Sequence, residues 1–432
     1  MAKKENQVKA VLNILEERIS AAMKSIAGRD DCAAIVRPAT DAKFGDYQAN
    51  GVMGLAKKLK TNPRNLAEEV VKNLDLSDIC EPPEVAGPGF INLRLKPEFV
   101  AVELLEINKD TAGLGIEKTH EPKTIVVDFS SPNIAKQMHV GHLRSTIIGD
   151  CICRILERLG HKVIRQNHIG DWGPQFGMLI AYAFYEVTAK RMEQVFGKQL
   201  DTFNISDTEQ LYREAKKEYD SDTNFAKLSR EYVVALQKRE QGALKHWKRI
   251  VALSLNECHD IYEQLGVTLS RDDVKGESFY NNSLPNVVED IQRAGLAESS
   301  DGAVCVFPEG FKNKEGDPLP FIIQKSDGAY LYATTDLAAL RYRVNELNAD
   351  AIIYVTDSRQ KLHFEMLFAV ARMAGWVSDD IELTHVMFGS VLGEDGAPLK
   401  TRSGENVKLK DLLDEAVERA KAVVEQKNPD LP

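Results

Sequence analysis

Cysteine is scarce and unpatterned. Six occur in 432 residues, as Cys32, Cys80, Cys151, Cys153, Cys258 and Cys305. There is no CxxC pair and no regular framework, so reduced thiols in a cytosolic protein are expected. No run of 18 apolar residues occurs, so neither a transmembrane helix nor a membrane partner is expected. The opening MAKKENQVKA lacks the apolar core of a signal peptide. Net positive charge is also lacking: 55 Lys and Arg against 65 Asp and Glu give −10. That argues against a nonspecific nucleic-acid binder, though a local basic face remains open. Internal repeats and low-complexity segments are absent. With 43% hydrophobic and 28% charged residues, the chain is not a disordered one. Its length predicts two or three domains with room for sizeable cores.

What is present falls into blocks. Residues 7–27 carry apolar side chains at helical spacing and stop near Gly28. Further helices are expected at 49–60 and 63–74, the second opening on Asn62-Pro63. EVAGPGFINLRLK then alternates like a strand after a turn. Residues 1–115 therefore read as a small α+β domain. Its first 64 residues hold twelve Lys and Arg against seven Asp and Glu. Either a solvated helix surface or a polyanion-facing patch accounts for that excess. TAGLGIEK (111–118) reads as a linker.

TIVVDFS (124–130), a polar loop, a helix from Val140 to Gly160 and VIRQNHIG (163–170) form strand–loop–helix–strand. This is the start of a parallel α/β sheet. Residues 181–265 are charged and helical, and 301–334 are β-rich (GAVCVF, LPFIIQK, GAYLYAT). TTDLAALRYRVNEL is helical, and strands AIIYVT (351–356) and LTHVMFG (383–389) resume the parallel pattern around KLHFEMLFAVARMAG. A helix over 408–427 ends the chain. The expected fold is α/β: a domain over 116–390 with a mostly helical insertion at about 181–335, and a C-terminal piece at 391–432.

The most informative stretch is His139-Val140-Gly141-His142 at a loop-to-helix junction. Two histidines three apart share a face of the first turn, and the glycine between them lets a ligand approach the backbone. A helix N-terminus offers free N–H groups and partial positive charge to phosphate. Ser131, Asn133 and Lys136 lie just upstream, at the carboxyl end of a strand, where open α/β sheets bind ligands. A pair of surface histidines and a zinc site are the alternatives. The second lacks a third ligand at useful spacing.

The segment FSSPNIAKQMHVGHLRSTIIGD, followed by NHIGDWGPQFG, resembles the arginyl-tRNA synthetases, a family of class I aminoacyl-tRNA synthetases. His139–His142 matches the HIGH motif of that class. KFGDYQANGVMGLAKKL (43–59) and AGPGFINLRL (86–95) resemble the family's extra N-terminal domain. SDGAYLYATTDLAA (326–339) and YVTDSRQKLHF (354–364) resemble its amino-acid site. DGAPLKTRSGENVKLKDLLDEA (395–416) resembles its KMSKS loop. The resemblance implies a Rossmann-like catalytic domain and ATP-dependent ligation of L-arginine to its tRNA through an arginyl-adenylate. ATP arrives with Mg2+ as the substrate complex, no structural metal is implied, and a monomer is expected. A class I paralogue that adenylates something else, or a tRNA-binding module that has lost turnover, are the competing readings.

By the same resemblance, His139, His142, Lys136 and Lys400 are catalytic. His139, Gly141, His142, His168, Gly170, Asp171, Lys400 and Arg402 bind ATP. Asp128, Asn133, Tyr332, Asp336 and Gln360 line the arginine pocket. The KMSKS counterpart, Pro398 to Arg402, is degenerate, and the resemblance implies that Lys136 substitutes for the missing loop lysine. Read physically, Asp336 is either a guanidinium ligand or a helix N-cap. Asp128 is either a ligand or a turn former, and Gly170-Asp171 either meets nucleotide or ends a strand. Trp172 reads as core. Phe90 and Asn92 share a strand face, either as core or as the pair that reads an unstacked base of the tRNA D-loop. Family members usually continue into a helical anticodon-binding domain. A chain ending at Pro432 is therefore expected to charge tRNA poorly and to discriminate anticodons badly.

Overall fold

The computed structural model describes residues 10–111, 113–116, 118–134, 136–184, 205–393, 396 and 407–428. These form two compact units. One comprises residues 1–120 with 158–160, and the other takes the remainder.

In the first unit, α1 (Val11–Ala27) ends on Gly28 in the left-handed region, φ 63°. Strands β1 (Val36–Pro38) and β2 (Tyr47–Ala49) precede α2 (Gly51–Leu59) and α3 (Pro63–Lys72). Asn62 caps α3 as its sequence predicts, its Oδ1 accepting the N–H groups of Arg64 and Asn65. Strands β3 (Glu84–Ala86) and β4 (Phe90–Leu93) complete an antiparallel sheet of order β1-β2-β4-β3. Leu15, Ile19, Val52, Val70, Ile91 and Leu93 fill its core. The last helix, α4 (Pro97–Lys109), buries no side chain completely.

In the second unit, β5 (Thr124–Asp128), α5 (Val140–Arg158) and β6 (Lys162–Gln166) confirm the strand–helix–strand expectation. Strands β10 (Ala351–Asp357) and β11 (Glu382–Phe388) join them in one parallel sheet, order β11-β10-β5-β6. Val126 and Val127 of β5 are fully buried, as befits a strand covered on both faces. Between β6 and β10 run α6 (Pro174–Phe184), α7 (Ile205–Ser221), α8 (Thr223–Gln237), α9 (Gln241–Gln264), the short α10 (Glu277–Tyr280) and α11 (Leu284–Arg293). An antiparallel sheet of β7 (Glu298–Ser300), β8 (Ala303–Val306) and β9 (Phe321–Gln324) follows. Helix α12 (Tyr332–Asn345) leads into β10, α13 (Lys361–Met373) into β11, and α14 (Leu409–Lys427) comes last.

Two expectations need correction. The second strand ends at Gln166, and residues 167–170 form the loop beyond it. GAYLYAT is not a strand. It turns into α12, because the Thr334 hydroxyl accepts the Leu331 N–H and bonds the Ile323 carbonyl, closing the first helical turn against β9.

Candidate active site

The carboxyl ends of β5, β6 and β10 bring three loops together. After β5, Ser130 and Ser131 both take positive φ, 69° and 43°, a conformation that costs energy in non-glycine residues. Neighbours hold them there. The Ser145 hydroxyl accepts the Ser130 N–H, and Asn167 Oδ1 accepts the Ser131 N–H. The loops after β5 and β6 are joined again where Asn133 pairs with Gly170 in a parallel bridge. A Cβ at Gly170 would sit 3.3 Å from Asn133, so the approach is tight.

The histidine pair lies at the start of α5. The His139 N–H donates to His142 Nδ1 at 3.1 Å, and the Gly141 N–H donates to His139 Nδ1 at 3.1 Å. The rings lie against each other with centroids 4.0 Å apart and planes tilted by 32°. Burial holds both imidazoles below the usual range, His142 at about 3. The cations Arg359 and Lys136 add to the effect at His139, and the His139 ring to that at His142. Both rings are therefore neutral at pH 7. Because each Nδ1 accepts a main-chain proton, the tautomer in each ring carries its hydrogen on Nε2. Each histidine thus presents one Nε2–H donor. Gly141 is required here, since a Cβ would come within 2.8 Å of the His139 ring.

Lys136 rests its ammonium 4.5 Å above the Tyr212 ring of α7. Lys400 and Arg402 lie outside the described residues. The chain flanking them is attached near the histidines. Arg144 donates to the carbonyls of Gly389 and Ser390 before the loop. After it, the Val140 N–H donates to Val407 and the Leu409 N–H to Met138, both at 2.9 Å.

A second cluster centres on Asp336. Its Oδ2 accepts from His363 Nε2 at 2.7 Å, and its Oδ1 lies 3.6 Å from His168 Nε2. The Tyr332 ring stands 5.0 Å from the His363 ring, and Tyr332 itself is 64% exposed. Asp336 is not the helix cap. Leu331 occupies that position, and the Asp336 side chain faces the two histidines. Glu277 joins from α10. Burial, with Asp171 and Asp336 nearby, pushes its carboxyl up to about 7. Asn133 and Gln360 are exposed at the mouths of their loops.

Two carboxylates expected to bind ligands have partners within the protein. Asp128 is buried. Its Oδ2 accepts from the fully buried Arg343 at 2.6 Å and its Oδ1 from the Ser131 hydroxyl at 2.8 Å. Asp171 is likewise engaged, its carboxylate accepting the N–H and hydroxyl of Ser278 at 2.8 and 2.6 Å. His168 lies near Asp336 and the Tyr280 ring, the latter 5.4 Å away. Trp172 packs edge-on to Trp247, in keeping with core. In the first unit, Asn92 is buried and its Oδ1 accepts from Gln48 Nε2 across β2–β4, while Phe90 is half-buried. Glu277, His363 and Arg343 carry no local sequence signal that would single them out, because the groups they meet come from other segments of the chain, whereas Arg359 pairs with its near neighbour Asp357.

Comparison with known proteins agrees with this architecture. Residues 105–431 match the model for "tRNA synthetases class I (R), catalytic domain", and residues 13–95 that for "Arginyl tRNA synthetase N terminal domain". The arginine--tRNA ligase of Hahella chejuensis is 51% identical over 419 residues, covering 97% of this chain and 71% of that protein. The arginine--tRNA ligase of Serratia proteamaculans is 50% identical with the same coverage. Among solved structures, the arginyl-tRNA synthetase of Plasmodium falciparum superposes with a TM-score of 0.77 at 32% identity, over 98% of this chain and 70% of that one. The Thermus thermophilus arginyl-tRNA synthetase shares the fold, with a TM-score of 0.74 at 23% identity over 98% of this chain and 72% of that one. With its family model spanning three quarters of the sequence and its relatives half identical, the chain belongs to the class I arginyl-tRNA synthetases.

Proposed function

We propose that the chain joins L-arginine to its tRNA through an arginyl-adenylate made from ATP and Mg2+. The observation that carries this reading is the Asp336 carboxylate held between His363 and His168 in the same unit as the adjoining, Nε2–H-bearing histidine pair. Together they supply an anionic half-site for a guanidinium and a donor-lined half-site for a triphosphate.

A guanidinium presents a rigid fork of N–H donors, and a carboxylate accepts two of them in parallel. Asp336 takes that role. Glu277 adds charge beside it, and Tyr332, Asn133 and Gln360 border the pocket. The arginine carboxylate then attacks the α-phosphorus of ATP, the α–β bridge oxygen leaves with pyrophosphate, and the mixed anhydride is the adenylate. The Nε2–H donors of His139 and His142 stabilise the charge that builds on the phosphates, with Gly141 giving the nucleotide room to approach. Lys136, Lys400, Arg402 and Arg359 supply cations. No covalent enzyme intermediate is needed. Positioning and charge stabilisation supply the rate.

In the second step the terminal adenosine hydroxyl of tRNA attacks the arginyl carbonyl and AMP leaves. The basic excess within the first 64 residues meets tRNA phosphates, with Phe90 offered to an unstacked base. The enzyme works as a cytoplasmic monomer in this reading. Arginine-dependent exchange of pyrophosphate into ATP, measured with arginine tRNA present, tests it. Exchange with arginine and not with lysine or citrulline is expected. Exchange driven by a different amino acid would overturn it.

A further inference from the structure

We infer that Arg343 is a positioning residue that fixes the spacing between the amino-acid half and the nucleotide half of the site. This inference rests on the arginine-activation reading above. Arg343 lies seven residues beyond Asp336 on α12, two turns along the same helical face. Its guanidinium is completely buried. Nη2 donates to Asp128 Oδ2 at 2.6 Å, Nε donates to Gln166 Oε1 at 2.7 Å, and Cζ lies 5.1 Å from the centroid of the Tyr354 ring.

Those three partners form one row. Asp128 is the register partner of Tyr354 on one side and of Gln166 on the other, across β10, β5 and β6. Each of the three strands runs directly into a loop of the site. After β5 come Ser131 and the histidine pair, after β6 comes His168, and after β10 come Arg359 and Gln360. One side chain thus ties the helix that bears Asp336 to three strand ends, of which β5 leads to the histidine pair and β10 to Arg359.

Burial of an ion pair is a poor way to gain stability, because desolvation offsets most of the attraction and an apolar row packs as well. What the pair supplies is geometry. The planar fork of an arginine reaches acceptors on two separate strands in fixed directions, which an ammonium does not reproduce. Register matters to this reaction, since a displacement of about 1 Å between reacting groups costs roughly 100-fold.

The test compares three ligands: arginine, ATP and a non-hydrolysable arginyl-adenylate analogue with a sulfamoyl bridge. The first two each report one half-site. The analogue spans both, so its affinity also reports their spacing. Calorimetry is run on the native chain and on Arg343→Lys and Gln166→Met. In both variants the analogue should weaken by at least about 10-fold while arginine and ATP alone change by less than about 3-fold. All three ligands weakening together, or an analogue affinity within about 3-fold of native, overturns the inference and leaves Arg343 a structural residue. If Arg343→Lys does not fold, Gln166→Met decides alone, since it removes one hydrogen bond and little volume. A native chain that binds neither arginine nor the analogue would instead defeat the arginine-activation reading itself.

Discussion

His363 donates its Nε2–H to Asp336 Oδ2 at 2.7 Å, which turns a carboxylate from the second turn of α12 toward the start of α13. The contact leaves Oδ1 facing His168 at 3.6 Å. Asp336→Asn keeps the shape and removes the charge. Arginine kcat/KM should fall at least about 100-fold, on the order of 3 kcal/mol, with the KM for ATP nearly constant. Steady-state exchange kinetics check this, and a selective loss of ATP binding would contradict it.

Asp128 should behave differently, because its partner is the buried Arg343. Asp128→Asn leaves that guanidinium without its counter-charge, at a cost of about 3–5 kcal/mol in stability. Urea unfolding measures the loss. A variant as stable as the native chain would show that Arg343 has other compensation.

Glu277 gives the arginine half-site a pH dependence. Its carboxyl is raised to about 7, first by burial and then by Asp171 and Asp336. Below that pH it is neutral, and above it a second negative charge lies within electrostatic reach of Asp336. Arginine affinity should therefore rise as pH passes from about 6 to 8, and Glu277→Gln should flatten the profile. The unliganded protein follows the opposite trend. A raised carboxyl contributes stability below its unfolded pKa and loses it as pH climbs through about 7, so the melting temperature without arginine should decline over that interval. Calorimetric titrations across pH test both signs.

The histidine pair acts as neutral donors, so replacing either His139 or His142 with Ala should lower adenylate formation by about 10²–10³. Activity should show no titration of these rings between pH 6 and 8. Stability does depend on them. Both are lowered from the ordinary histidine value, so their neutral-state contribution is complete above about 6.5 and fades as pH falls, for His142 toward about 3. Urea midpoints at pH 5 and pH 7 should differ less in His142→Asn than in the native chain. An equal difference in both would remove His142 from the account.

Lys136 offers a cation beside His139, held over Tyr212. If it supplies the charge that the degenerate loop around Lys400 lacks, Lys136→Ala should slow single-turnover adenylate formation at least as much as Lys400→Ala. A much milder effect at Lys136 would return that role to the loop.

The sequence by itself determined the parallel α/β plan, because alternating buried strands and 3.6-period helices are local patterns that burial on both faces demands. It also determined the histidine pair, whose three-residue spacing on a first helical turn and intervening glycine bring the rings into contact, and the Asn62 cap, whose partners are two and three residues away. Only the tertiary structure decided which carboxylate has an internal counter-charge. Asp128 and Asp336 look alike in sequence, yet Arg343, 215 residues from Asp128, neutralises one of them. Ser278, 107 residues away, hydrogen-bonds Asp171, and the fold brings Glu277 within electrostatic reach of Asp336. Whether a buried charge is spent on the protein or kept for a substrate depends on the counter-charge packed against it, and that partner arrives from a segment no local pattern identifies.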